Sequence, residues 1–359
     1  MDLTWCDDDL GWAAILRERL ASAGTAADAS HAADRPRLTL GDIEVARHAL
    51  PGSGRSLAAP ERTMLAMIEH GRALSAFPFV ETLILPAQLL ADSPAFASQV
   101  GLLAGGLVDI AVAWQEPDTI ENFALRSDPC AGCWRITGRK VIVVGGPGAC
   151  RFVVSARAGN TAQLFLLEAA STGLSVKPYM TIDGRFAADV VFDDVRVGPE
   201  CLIACGDAAE VLLARALDVA TAVTCAHAVG LMRFLIDATA RFLTGRRQFG
   251  QALSSFQVLQ HRMVDMSLHV ELAESASLRA MLSLDLAPNR RALAVSAAKI
   301  TTGEAARFVG QNAIQLHGGQ GMRDATVATR YFRRLTAIDL SFGGAQHHLA
   351  RVSDLASVT

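Results

Sequence analysis

The sequence predicts an α+β chain in three parts: an N-terminal helical domain over residues 1–108, a middle β-barrel over 109–205 and a C-terminal four-helix bundle over 206–359. Three observations predict it. The outer parts are rich in alanine and leucine, with apolar residues at helical spacing, whereas the middle part is rich in β-branched residues broken by turns. Turn signals in that middle part recur roughly every ten residues, the spacing of a small barrel or sandwich. A chain of 359 residues is long enough for two or three cores, and 51% hydrophobic against 19% charged residues describes a compact protein rather than a disordered one.

Each part follows from its pattern. Trp12, Ile15, Leu16 and Leu20 make an amphipathic stripe. Pro36 to Gly54 reads as loop-rich, with Pro51-Gly52 a turn, and the apolar run from Met64 to Leu90 as two helical stretches punctuated by Gly71 and Pro78. In the middle part, Trp134 to Gly138 leads into Lys140 to Val144, then a Gly145-Gly146-Pro147-Gly148 turn, then Phe152 to Val154. Gln163 to Leu167 and Ala188 to Phe192 read as further strands. No helix follows the glycine-rich turn, so it is not a phosphate cradle. Beyond it, Leu213–Arg241, Phe256–Leu286 and Arg291–Leu316 have the length of bundle helices, with Pro288-Asn289 separating the last two.

Composition excludes several functions. A formal charge of −3 offers no basic field for nucleic acid or an anionic membrane. No uncharged apolar run reaches the roughly 18 residues of a membrane span. The acidic start MDLTWCDDDL is unlike a secretory signal, so the chain reads as cytoplasmic. Among seven cysteines, Cys130 and Cys133 form a CxxC, but no second pair completes a zinc site. Cys201 and Cys205 lie four apart, and the odd count in such a chain favours reduced thiols. His227, His261, His269, His317, His347 and His348 make no metal-ligand spacing, so no metal is expected.

Two segments carry the chemistry. Gly245 to Met266 holds an Arg246-Arg247-Gln248-Phe249-Gly250 turn followed by Phe256-Gln257 and Gln260-His261. About 65 residues further on comes Gln315-Leu316-His317-Gly318-Gly319-Gln320-Gly321. The pair resembles the acyl-CoA dehydrogenase family, whose R-x-Q-F-G and Q-x-x-G-G-x-G elements meet the adenine-diphosphate end of an FAD across a subunit interface. Glu69 to Leu74 with Pro78-Phe79 resembles the N-terminal helical domain of bacterial members. The resemblance implies an acyl-CoA dehydrogenase-like fold, FAD as cofactor, an acyl-CoA substrate and an electron-transfer acceptor. It implies a charged fork at Arg246 for the pyrophosphate, Gln248 for an adenosine or phosphate oxygen, and Phe249 as a face for adenine. Gln315, Gly318 and Gly319 would let the backbone approach the dinucleotide, and Gln257 and Gln346 match lesser contacts.

The same resemblance exposes losses. The family takes a proton from the thioester α-carbon with a glutamate, and the flavin accepts the hydride. In register, Phe342 occupies the glutamate position, and an earlier position used by some members falls on Val219, Ala220 and Thr221. Asp218 matches an aspartate near the substrate, but its usual arginine partner is Thr221. Asp339 lies one turn before Phe342, a displacement of about 4–5 Å, and is expected to be solvated or capping. The family's ring-gripping segments read Val112 to Pro117 and Lys140 to Val144. Glu116, Pro117 and Lys140 keep the register, while Gln115, Ile142 and Val144 replace two threonines and a tryptophan. The segment after Pro117 has become Asp118 to Asn122.

No catalytic residue is therefore expected. The pattern implies a non-catalytic subunit of a heteromeric (α2β2) dehydrogenase, similar to actinobacterial enzymes of steroid side-chain degradation. A second acyl-CoA dehydrogenase-like subunit would supply the base and ring pocket. The alternatives are a stand-alone flavoenzyme of this fold with an unrecognised base, and a structural subunit without activity.

Overall fold

The computed structural model describes residues 7–22, 40–52, 54–117, 123–324 and 326–357. The chain forms two compact units: Met1–Thr25, Ala59–Ser75 and Thr221–Thr359 make one, and Ala26–Ala58 with Ala76–Ala220 make the other. Helices α1 (Asp7–Ser22), α2 (Leu40–Ala49), α3 (Pro60–Arg72), α4 (Leu85–Leu90) and α5 (Ala97–Ala104) come first. Eight strands follow: β1 (Ile110–Ala113), β2 (Arg126–Cys130), β3 (Cys133–Val144), β4 (Arg151–Ala158), β5 (Thr161–Glu168), β6 (Leu174–Met180), β7 (Phe186–Val197) and β8 (Leu202–Cys205). Then come α6 (Asp207–Gly245), α7 (Gln257–Leu282), α8 (Pro288–His317), α9 (Val327–Leu340) and α10 (Ala345–Ala356). This is the mixed α+β class that the sequence predicts.

In the first unit, α1 opens with Asp7, Asp8 and Asp9, whose charges suit a helix N-terminus. It buries Ala13, Leu16 and Leu20, while Ile15 of the expected stripe is 53% exposed. Arg17 grips the buried Glu69 of α3 through two bonds of 2.6 and 2.7 Å. Gly71 is more than punctuation. A Cβ there would lie 2.1 Å from the His227 carbonyl, and one at Gly230 would lie 1.9 Å from that of Ile68. The two glycines thus let α3 and α6 cross backbone to backbone. Tyr331 of α9 ties in the same corner, stacking on Phe234 at 4.4 Å and donating its hydroxyl to the Arg72 carbonyl at 2.6 Å. Pro288, at the first turn of α8, separates that helix from α7, because proline suits a helix start and no interior.

The second unit is built on one eight-stranded sheet, ordered β6-β7-β3-β2-β4-β5-β8 with β1 added on β4. It curls around Phe152, Phe165, Phe192, Ile136, Val154 and Val190, all essentially buried. The sequence reading of residues 36–54 as loop needs correction, because α2 forms over Leu40–Ala49. Val45, Ala46 and Ala49 are fully buried, and that burial outweighs the flanking proline and glycine signals. Residues 36–39 of that reading lie outside the described residues.

One further expectation changes. Cys130 and Cys133 are register partners across the Ala131-Gly132 turn, 4.9 Å apart at Cα, and are joined in a disulfide rather than left reduced. Cys150, Cys201, Cys205 and Cys225 are free. One helix, Asp207–Gly245, is long and apolar enough to cross a membrane by length and composition, but 83% of its apolar window is buried inside the protein, as in a core helix.

Candidate functional site

The two motif segments meet at one edge of the first unit. After α6 the chain turns through a two-residue hairpin, in which Arg247 and Gln248 pair with Ala252 and Gln251. Its central residues, Phe249 and Gly250, have φ of +55° and +80°. Such tight hairpins need left-handed residues at the turn, which glycine accepts readily and phenylalanine does not. Phe249 nevertheless takes that conformation with 90% of its surface exposed, touching Phe256 edge-on at 6.3 Å. The base of the turn is pinned by the Arg246 N–H donating to Phe242 at 2.9 Å, and the Phe242 ring stacks on His317 at 4.4 Å. His317 ends α8, so Gly318 and Gly319 follow directly. The arginine turn and the glycine element are thereby neighbours.

Arg246, Gln248, Gln257, Gln315, Gly318 and Gly319 are all exposed. The side chains of Arg246, Gln257 and Gln315 make no hydrogen bond or ion pair among the described residues. Gln248 turns its amide onto its own hairpin, donating to the Arg247 carbonyl at 2.7 Å. The three glycines differ in what requires them. A Cβ at Gly321 would lie 2.5 Å from the Ile314 carbonyl, and Gly318 has φ of +59°. A Cβ at Gly319 would meet nothing within 4 Å, so packing within the chain does not demand glycine there. An exposed charged fork, two amides and an open backbone on one edge suit a phosphate-bearing ligand.

The base positions are closed. Phe342 follows α9 in the loop before α10, half-buried, with φ of +56°. Its carbonyl accepts a bond of 3.1 Å from Nε2 of His348, whose Nδ1 faces Ser296 Oγ at 3.2 Å. That pairing sets the neutral imidazole, with the proton on Nε2. Burial, with His347, Lys299 and Arg351 nearby, pushes the His348 pKa down to about 3. Val219, Ala220 and Thr221 are buried and carry no acid, and Asp218 is itself only 1% exposed. Asp339 is neither solvated nor capping. A Cβ at Gly303 would lie 2.3 Å from its Oδ1, Arg307 stands 3.6 Å from its Oδ2, and Lys299 donates to its carbonyl at 2.8 Å. The carboxylate is packed against α8 as a structural group.

On the barrel, the retained Glu116 and Lys140 turn inward. Lys140 is fully buried, donating to Glu116, to Ser155 Oγ at 2.8 Å and to the Trp114 carbonyl at 3.1 Å. Burial pulls its ammonium down to about 8 against the opposing effect of Glu116. Glu116 also accepts the Leu125 N–H at 2.9 Å. This pair braces the sheet from within. Next to it, β3 bulges between Lys140 and Val143, and Ile142 stands 46% exposed with φ of +52°. Its N–H goes to Tyr179 Oη at 3.0 Å, a partner the sequence reading did not identify. Gln115 spends its carbonyl on Val141, at 3.0 Å, and Val144 pairs with Ala187. The adenine-end residues present donors and open backbone that suit an adenine diphosphate, while on the sheet the exposed Ile142 N–H is already given to Tyr179. Asp118 to Asn122 lie outside the described residues. A groove of about 460 Å³ beside Asp92, Val211 and Arg215 contains none of these positions.

Comparisons with known proteins agree with this architecture. Residues 210–354 match the family described as acyl-CoA dehydrogenase, C-terminal domain. The acyl-CoA dehydrogenase FadE27 of Mycobacterium tuberculosis is 25% identical over 330 residues, 87% of each chain. The first curated relatives that the chain matches are longer, and it spans 58, 60 and 52% of their lengths. Among solved structures, a variant of the Tcur3481-Tcur3483 steroid ACAD has a TM-score of 0.83 at 25% identity, covering 98% of both chains. The ChsE4-ChsE5 complex from Mycobacterium tuberculosis has a TM-score of 0.86 at 20% identity over 100% of both chains, a likeness of fold alone.

Proposed function

We propose, from the premise that this chain has the acyl-CoA dehydrogenase fold with that family's C-terminal domain at 210–354, that it is the non-catalytic subunit of a heteromeric FAD-dependent acyl-CoA dehydrogenase. It contributes the adenine-diphosphate half of an FAD site. A second acyl-CoA dehydrogenase-like subunit supplies the base and the ring pocket, and the complex hands electrons to an external acceptor in the cytoplasm. Proteins of this fold have been solved with FADH2 and with FAD and proline.

One observation carries the reading. The strained, 90% exposed Phe249 lies in the same turn as Arg246, a charged fork without a partner among the described residues, whereas Phe342 gives its carbonyl to His348. Strain in an exposed apolar residue has a ready explanation when an external partner rests on it. An exposed stripe on α7, with Val264, Leu268 and Leu272 at 56, 57 and 63%, supports a protein partner as well. Steroid side-chain thioesters are the substrate class this reading favours, because the similar steroid ACAD is itself a two-component assembly by name.

Stoichiometry tests it. Co-expressed with an adjacent acyl-CoA dehydrogenase-like chain that bears a carboxylate base, this chain is expected to form a heterotetramer with one FAD per pair of chains. Expressed alone, it is expected to be poorly soluble or free of flavin. Mass and flavin absorbance on one sample decide the matter, and a homomer holding one FAD per chain refutes the reading.

A further inference from the structure

One side chain holds the strained bulge of the barrel. Ile142, in the left-handed region at φ +52°, is β-branched, and such a residue keeps that conformation only where its surroundings over-determine it. Its N–H points to Tyr179 Oη at 3.0 Å, from β6 across the intervening β7. Asp189, the register partner of Lys177 on β6, stands beside the phenol, and burial together with that carboxylate raises its ionisation above the usual range. The bond lies at an open surface: Ile142 is 46% and Tyr179 37% exposed, and Met180, the last residue of β6, is 63% exposed. A backbone donor within an apolar, exposed patch is a seat for a flat ring with an acceptor edge, and Tyr179 has already taken the donor.

The chain has two tyrosines, and their settings differ. Tyr331 is buried, with its hydroxyl bonded to a carbonyl, as a core tyrosine should be. Tyr179 is 37% exposed and could have bonded water, yet its hydroxyl accepts an amide at a position where strain is stored. We propose that Tyr179 is an internal plug, occupying the donor and the surface on which a planar heteroaromatic ring would rest, so that this face excludes an isoalloxazine. The proposal rests on the half-site reading above and deepens it. Loss of the ring site is an active closure by a residue of this chain, beyond the substitutions at Gln115, Ile142 and Val144.

The test uses the co-purified complex of full chains and lumiflavin, the ring without its adenine half. Tyr179→Ala is expected to raise lumiflavin affinity about tenfold or more over the wild type, read as fluorescence quenching, because donor and surface are both released. Tyr179→Phe, which keeps the ring and removes only the hydroxyl, is expected to speed hydrogen exchange at the Ile142 amide about tenfold. Unchanged lumiflavin quenching with Tyr179→Ala overturns the plug, as does an Ile142 amide that exchanges equally fast in the wild type and Tyr179→Phe. FAD per pair of chains, measured on the same wild-type sample, reports separately. A ratio of two or of zero sinks the half-site reading, while the lumiflavin titration still decides for or against the plug.

Discussion

The edge built by the arginine turn and the glycine element treats polar groups in one way, and the positions around Phe342 in the first unit and around Ile142 in the second treat them in the opposite way. At the edge, Arg246, Gln257 and Gln315 stand exposed without side-chain partners among the described residues, and Phe249 holds a strained, exposed backbone. At the lost positions polar groups are taken up from within: the Phe342 carbonyl by His348, the Ile142 N–H by Tyr179, and the Asp339 carboxylate by Arg307 at 3.6 Å. Unsatisfied groups at a surface cost little in water and stay ready for a ligand, whereas unsatisfied groups in an interior are destabilising and become filled. The difference teaches where this chain still meets something outside itself.

Paired glycine substitutions sharpen that contrast most. Gly230→Ala drives a Cβ to 1.9 Å from the Ile68 carbonyl, which neither helix can yield without parting. It is expected to destabilise the chain by about 3 kcal/mol or more, seen as a large fall in Tm or as insolubility. Gly319→Ala meets nothing within 4 Å and is expected to leave stability within about 0.5 kcal/mol while weakening FAD retention by the complex. Were Gly319→Ala as damaging to folding as Gly230→Ala, the open edge would be a packing feature and no ligand seat.

Arg246→Ala probes the edge by charge. A charge-assisted bond to a buried pyrophosphate contributes roughly 1.5–3 kcal/mol, so FAD affinity of the complex is expected to fall about ten- to 150-fold. Equilibrium dialysis of FAD reads it directly. Because no partner among the described residues is lost, thermal stability without flavin should not move, and a drop there would assign the arginine an internal role.

Acid probes the closed region. His348 is held neutral with its pKa near 3, against 6.5 for the free side chain. Between those values the unfolded chain binds the proton and the folded chain does not, so unfolding gains stability from protons as pH falls. The contribution of His348 to stability is therefore complete above about pH 6.5 and declines toward pH 3, by at most about 1.4 kcal/mol per pH unit. Denaturant titrations at pH 7 and pH 4.5 are expected to differ by less in His348→Asn than in the wild type. An equal difference in both would remove His348 from the account of what closes the loop at Phe342.

Sequence legibility followed sequence distance. The long helices and the strands from Lys140 to Phe192 were readable because one repeat, 3.6 or 2.0 residues, runs through each. The arginine turn was readable because its geometry lies within five residues. What escaped depends on partners far along the chain. Asp339 looked solvated until α8 placed Gly303 and Arg307 against it. Glu116 and Lys140 looked like remnants of a ring grip, and the sheet makes them an internal ion pair. Tyr179 gave no signal, since an aromatic residue in a strand is ordinary and only the β3 bulge makes it particular. The short helix α2 was hidden by its proline and glycine flanks, because local signals cannot report the burial of Val45 and Ala46.

The smallest expected effect is also the sharpest control. Phe342→Glu returns a carboxylate to the position where the family keeps its base. Phe342 is only half-buried and already left-handed, so glutamate meets the same backbone strain and a modest desolvation cost, and stability should move by about 1 kcal/mol. A base alone completes nothing, because the barrel of this chain still carries Gln115, Ile142 and Val144 with the Ile142 amide given to Tyr179. The variant expressed alone is expected to reduce no dye with any acyl-CoA thioester in a panel from short-chain to steroid. In the assembled complex, where the partner carries the chemistry, turnover should change less than about twofold. Turnover by the single variant on its own would mean that this chain holds a working ring site, and the contrast between its open edge and its internally satisfied positions would collapse.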